Sequence, residues 1–221
     1  MYFPPTQLFN FFENSKEVVD IANQLEFSKP SGSYPGLRTE EIHKTHYPLF
    51  DYVCRKTLSV FYPRHEIEEM SWTASSRFQK ITHEDAMDGK TAWVHRDNLM
   101  TFTSIIYLSE DMPDNGTGIY LPKTTGFRSD PDTVDLKHRF LMLGEDVAEE
   151  AYKQAANQHN SQYTQASYFE SIFNSAIIFD GCYPHKAHFN IPKGRSRLTL
   201  VTFFEKVTAT RFPLSEARTV L

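Results

Sequence analysis

Apolar residues recur at helical spacing through the first third of the chain. In "SKEVVDIANQLEF", Val18, Val19, Ala22 and Leu25 fall on one stripe behind a cap at Ser15, which predicts a helix. In "YPLFDYVCRKTLSVFY", Leu49, Phe50, Val53, Thr57, Val60 and Phe61 do the same, with Pro48 in the first turn, where its missing N–H costs nothing. "YPGLR" between them reads as a turn. After residue 70 the pattern changes. "WTASSRFQKIT", "TAWVH", "MTFTSIIYLS", "GTGIYLP", "SAIIFDG" and "RLTLVTFFE" are rich in β-branched and aromatic residues and are punctuated by Gly, Pro, Asn and Asp, as strands are. "DNGTG" predicts a hairpin between two of them. "GEDVAEEAYKQAANQ" predicts one interrupting helix, and the polar "HNSQYTQASYFE" after it a loop or lid.

Helices first and strands afterwards predict a mainly β architecture with flanking helices, a β-sandwich or open barrel with helices packed outside it. The 221 residues suffice for one sizeable core. The expected organisation is a single domain, 1–221, with a helical N-terminal support over 1–69, a β core over 70–206 and a C-terminal tail over 207–221.

Composition narrows the function. The net charge of −5 and the lack of any long Lys/Arg run give no reason to expect nucleic acid. Cys54 and Cys182 match no zinc spacing and read as free thiols in a reducing, cytoplasmic compartment. No apolar run is long enough to span a membrane. The start "MYFPPTQLFNFF" lacks a basic segment and does not read as a signal peptide. Asn115-Gly116-Thr117 reads as a turn rather than a glycosylation site.

The chemistry centres on "TAWVHRDNLMTFTSIIYLSE". In an extended chain His95 and Asp97 share one side, so both can grip one ion, and the facing strand material is apolar and sheltering. A second H-x-D, His83-Glu84-Asp85 in "ITHEDAMDG", lies in polar surroundings more like a solvated loop. A third ligand is expected from a distant strand, and "SAIIFDGCYPHKAHFN" offers His185 and His188 directly after one. Two histidines and a carboxylate form the facial triad of non-haem Fe(II), which leaves positions open for substrate and O2. Zinc competes, but structural zinc sites recruit four ligands and often thiolates, which this chain does not offer in pairs. Further on, "GRSRLTLVTFF" carries Arg195, Arg197 and Thr199 at alternate positions. A cation on an apolar inner strand is unfavourable without an anion, and arginine grips a carboxylate with two parallel hydrogen bonds. A dicarboxylate that chelates iron at one end and meets arginine at the other satisfies both observations.

With His95-Arg96-Asp97, a distal histidine after a strand and an arginine about a dozen residues later, the chain resembles the Fe(II)- and 2-oxoglutarate-dependent oxygenases over roughly residues 70–206. "YPGLR", "WVHRD", "SIIYLSE", "GTGIYLP", "FDGCYPH" and "RLTLVTFF" resemble more narrowly a bacterial and phage subgroup of that superfamily. The resemblance implies a double-stranded β-helix core (a jelly roll, cupin-like). It implies His95, Asp97 and His185 as iron ligands, Arg197 as the clamp for the cosubstrate, and Thr199 and Tyr107 as further donors to it. For Tyr107 a plain core role stays equally open. The spacing departs from the family's pattern, so His188 remains an alternative to His185, and Arg195 to Arg197. The implied activity is hydroxylation of an unactivated C–H bond using Fe(II), 2-oxoglutarate and O2, with release of succinate and CO2. The substrate is a small molecule or a peptidyl residue, and neither nucleic acid nor a membrane is expected. The segments 123–140 and 157–170 are expected near the pocket mouth. The alternatives are a non-catalytic cupin-like binding protein and a Zn or Mn hydrolase or isomerase.

Overall fold

The computed structural model describes residues 3–30, 35–87, 92–97, 100–124, 136–140, 143, 145 and 148–209. Six helices are used below: α1 (Ser15–Gln24), α2 (Ile42–Thr45), α3 (Tyr47–Leu58), α4 (Arg64–Glu69), α5 (His83–Met87) and α6 (Glu149–Asn160). Nine strands accompany them among the described residues. They are β1 (Thr6–Leu8), β2 (Leu37–Arg38), β3 (Ser71–Thr82), β4 (Phe102–Tyr107), β5 (Gly116–Pro122), β6 (Tyr163–Glu170), β7 (Ala176–Asp180), β8 (His185–His188) and β9 (Ser196–Thr208). Among the described residues no helix is long and apolar enough to cross a membrane.

The strands form two antiparallel sheets, a large one in the order β1-β7-β4-β9-β3-β2 and a small one in the order β6-β5-β8. The chain passes from one sheet to the other at β4–β5, β6–β7, β7–β8 and β8–β9, as in a jelly roll, so the mainly β fold with flanking helices is the observed one.

Period-two alternation gives the large sheet two faces with different tasks. On β9, Leu198, Leu200 and Phe204 point into the main apolar core, where Phe50, Val53 and Leu58 of α3 and Val18 and Ala22 of α1 cover them. The intervening Arg197, Thr199, Val201 and Phe203 line a cavity on the opposite face. The same alternation runs through β4, with Phe102 and Ile106 toward the helices and Thr103 and Ile105 toward the cavity. Helices thus seal one face of the sheet, and the small sheet roofs the other.

Four local expectations change. "DNGTG" makes its tight turn, with Asp114 at φ 56°, but β4 and β5 do not pair. Both edges of β4 are already taken by β7 and β9, so the chain crosses to the other sheet. "HNSQYTQASYFE" is no loop or lid: it finishes α6 and forms β6, an edge strand on β5. The described part of "TAWVH" forms no regular strand, only a single bridge between His95 and His185. The first third is not purely helical either, since β1 joins β7 and β2 joins β3. The tail beyond 209 lies outside the described residues.

Candidate metal centre

The backbone aligns the site before any side chain contributes. The amides and carbonyls of His95 and His185 exchange two hydrogen bonds, His95 N to His185 O at 2.9 Å and His185 N to His95 O at 2.8 Å. Residues paired in this way put their side chains on the same face of the ladder, and the two imidazole centroids lie 4.3 Å apart. Asp97, two residues on, is held by its own N–H donating to Gly181 O at 2.9 Å. That approach needs glycine: a Cβ at position 181 would run into Met100 O and come within 2.6 Å of Asp97 O.

Each imidazole is then fixed in one tautomer. His95 Nδ1 is 2.9 Å from Trp93 O and His185 Nδ1 is 3.0 Å from Tyr183 O. A carbonyl only accepts, so both Nδ1 atoms carry the proton and both Nε2 atoms present a lone pair. Asp97 faces them, Oδ1 3.8 Å from His95 Nε2 and Oδ2 3.5 Å from His185 Nε2. Thr103 Oγ1 donates to Asp97 Oδ2 at 2.8 Å and sets the carboxylate plane. The donor atoms of the three residues all lie within 4.8 Å of one another, close enough for one ion to meet them together. Burial depresses the pKa of both histidines. At His95 the neighbouring His185 adds to the effect and Asp97 opposes it, while at His185 Asp97 again opposes. Both rings are therefore neutral at pH 7, the form that ligates. His95 is 40% exposed by its side chain, but that exposure is to the cavity.

The cavity has a volume of about 570 Å³, the size of a small-ligand site. The triad occupies one part of its lining. Elsewhere on the wall lies Arg197, 4% exposed, its NH1 donating only to neutral acceptors, Asn115 Oδ1 and His188 O, each at 3.3 Å. Its Nε is buried without a hydrogen-bond partner, and among the described residues no carboxylate lies within salt-bridge reach. The guanidinium instead sits against the rings of Tyr107 and Phe189, 5.2 and 5.3 Å away. Burial lowers its pKa. Thr199 lines the same wall and pairs in the ladder with Tyr107, whose hydroxyl is 2.7 Å from Thr117 Oγ1.

The competing residues lie elsewhere. Arg195 is in a surface pair with Glu110 at 2.8 Å. His188 Nε2 meets the Tyr120 hydroxyl at 2.8 Å, on the opposite side of β8 from His185. His83-Glu84-Asp85 is a helix start rather than a loop: Thr82 N donates to Asp85 Oδ2 at 2.9 Å and Asp85 N to Thr82 Oγ1 at 3.2 Å, a reciprocal cap for α5. His83 Nδ1 donates to Ile191 O at 2.6 Å. Of the two segments expected at the mouth, 123–140 gives Lys137 and His138 to the cavity lining, with 125–135 outside the described residues, and 157–170 gives none. Sequence reasoning missed Lys137 and Thr103. Thr103 was legible as a hydroxyl on the strand after H-x-D, whereas Lys137 carries no sequence signal.

No curated protein matches the chain. The model of a family of unknown function, DUF6445, matches residues 7–204. Among the solved structures similar to the chain are the following three. One is an oxidoreductase of the 2OG-Fe(II) oxygenase family from Burkholderia pseudomallei, 10% identical with a TM-score of 0.52 over 94% of this chain and 87% of that one. A second is HygX from Streptomyces hygroscopicus with nickel and 2-oxoglutarate bound, 11% identical with a TM-score of 0.55 over 94% and 84%. The third is a prolyl hydroxylase from Trichoplax adhaerens in complex with a hypoxia inducible factor peptide fragment, 12% identical with a TM-score of 0.52 over 98% and 87%. The chain thus shares the fold of 2-oxoglutarate- and Fe(II)-dependent oxygenases.

Proposed function

The chain belongs to the DUF6445 family, and since that family has no assigned function, we propose one from the site: a non-haem Fe(II)- and 2-oxoglutarate-dependent dioxygenase that hydroxylates an unactivated C–H bond. The observation that carries the reading is the pairing of two features in one cavity. A two-histidine, one-carboxylate cluster brings its donor atoms within 4.8 Å of one another, and a buried arginine has no anion within reach among the described residues.

The residues fit the groups this reading needs. His95, Asp97 and His185 would hold the metal, and three protein ligands leave coordination positions for cosubstrate and O2. Arg197 would receive the far carboxylate of 2-oxoglutarate, with Thr199 beside it and Tyr107 beneath the guanidinium. Fe(II), 2-oxoglutarate and O2 together supply the oxidising power, with succinate and CO2 as co-products. The protein's own share is orientation and dryness. Trp93 O and Tyr183 O keep both Nε2 atoms aimed, Thr103 holds the carboxylate, and Ile105, Val201 and Phe203 keep the wall apolar. The substrate is a small molecule or a peptidyl side chain that enters the rest of the cavity.

The test is spectroscopic first. Under anaerobic conditions the protein with Fe(II) and 2-oxoglutarate should develop the weak visible charge-transfer band of the chelate, and on admission of O2 it should release succinate. A folded protein that binds metal yet gives no band with 2-oxoglutarate would instead be a cupin-like binding protein or a Zn or Mn enzyme.

A further inference from the structure

We propose that the primary substrate is an anion, whose carboxylate or phosphate is received by Lys137 on the metal side of the cavity. This deepens the oxygenase reading and rests on it.

Among the described residues lining the cavity, Arg38, Arg96, Lys137 and Arg197 are cationic, and Asp97 is the sole carboxylate. Arg38 has partners of its own and is set aside. In the proposed reading Asp97 serves the metal, Arg197 takes the far carboxylate of the cosubstrate, and a divalent ion and a doubly charged cosubstrate cancel. Arg96 and Lys137 are left over. Neither has a carboxylate within salt-bridge distance among the described residues, and neither is engaged by any hydrogen bond there.

Geometry places both near the triad rather than at the Arg197 end. Arg96 lies between His95 and Asp97, so the alternation that aims its neighbours at one ion turns its exposed side chain outward, where it adds positive potential at the edge of the cavity without contacting the anion. Lys137, in the helical turn 136–140, holds its ammonium 5.9 Å from the Trp93 ring, close enough for its charge to bear on His95 and His185. A lysine usually lets its head reach water while its stem covers apolar surface. Here burial outweighs the pull of Asp97, and the ammonium is held less basic than usual. Removing a charge from water without a counter-charge is unfavourable, and an entering anion relieves it. Trp93 and Tyr152, ring centroids 5.6 Å apart and almost fully buried, back the cation, while Ile105, Val201 and Phe203 supply apolar wall in the same cavity. The complementary ligand has an acidic head and an apolar body.

The experiment uses the Fe(II)- and 2-oxoglutarate-loaded protein under anaerobic conditions, after the charge-transfer band has been recorded. Calorimetric titration compares matched probes: N-acetyl-L-aspartate against N-acetyl-L-asparagine, and O-phospho-L-serine against L-serine. In at least one pair the acid should bind about tenfold more tightly, and which pair responds distinguishes carboxylate from phosphate. Lys137→Met should abolish the preference and Lys137→Arg should retain most of it, while 2-oxoglutarate affinity stays within about twofold in both. Equal or undetectable binding of acids and neutral partners overturns the proposal. So does a loss of about tenfold in 2-oxoglutarate affinity in Lys137→Met, which would assign the lysine to the cosubstrate. A missing band condemns the oxygenase reading. A normal band without any acid preference condemns only the anion assignment.

Discussion

The Nδ1 atoms of His95 and His185 are each tied to the carbonyl two residues back, and Asp97 is tied to Thr103. Such outer partners orient ligands, and losing one commonly costs 10- to 100-fold in metal affinity. Thr103→Val should therefore weaken Fe(II) binding by about that factor with the fold intact, measured by competition with a chromophoric chelator. Asp97→Ala removes a ligand itself and should abolish stoichiometric iron. Asp85→Ala, in the other H-x-D, should leave iron untouched and instead cost about 1 kcal/mol of stability through the lost cap of α5, read by denaturant unfolding. For Arg197, truncation removes a charge expected to pair in a sheltered pocket, an effect of roughly 3–5 kcal/mol. Arg197→Ala should lose at least about two decades of 2-oxoglutarate affinity while keeping its iron. Arg195→Ala, which disrupts only an exposed pair with Glu110, should stay close to wild type. The reverse pattern would mean that the clamp is Arg195.

At the scale of elements, the parts that sequence made legible are those whose partners impose a pattern. β3, β4 and β9 alternate because one face meets helices and the other a cavity, β7 is an unbroken apolar run because both its faces are buried, and α1 and α3 carry a stripe because they lie on the sheet. β6 left no such mark: it is a sheet edge, exposed along most of its length, so its polar sequence looks like loop. The "DNGTG" turn was legible as a turn, but turn chemistry fixes a reversal and not the strand that will accept the pairing. At the site, the H-x-D and distal histidine were readable from strand context. The pairing of His95 with His185 was not, because register across about ninety residues leaves no local trace. The turn that joins β7 to β8 is where an element-scale test belongs. Gly181→Ala places a methyl group against the carbonyls of Met100 and Asp97 and must displace the ligand segment. Weakened iron binding with near-native secondary structure, seen by circular dichroism beside iron analysis, is the expected outcome.

Over the whole molecule, acidity probes how the site bears on stability. Burial holds both triad histidines below the ordinary value of 6.5, so an unfolded chain takes up their protons at a pH where the metal-free fold does not. The unfolded state then binds more protons, and stability falls as pH drops below about 6.5. For the deeply buried His185 the slope approaches at most about 1.4 kcal/mol per pH unit, with a smaller share from His95, which opens onto the cavity. Metal-free protein should thus lose stability between pH 7.5 and pH 5, and His185→Gln should lose less, measured by urea unfolding at both pH values. An equal loss in both proteins would mean that His185 contributes nothing to it.

The two anchor points proposed for the cosubstrate belong to different sheets. His185 is on β8 of the small sheet, with His95 bridged to it, and Arg197 is on β9 of the large one. Facing sheets keep a spacing of about 10 Å set by the side chains packed between them. The architecture therefore acts as a caliper whose jaws are the metal and the guanidinium. Chain length would be discriminated by the stiffness of the sandwich rather than by any contact along the methylenes. One extra carbon, as in 2-oxoadipate, must buckle or force the jaws apart, and its affinity should fall below that of 2-oxoglutarate by about tenfold or more, even though both ends carry the same groups.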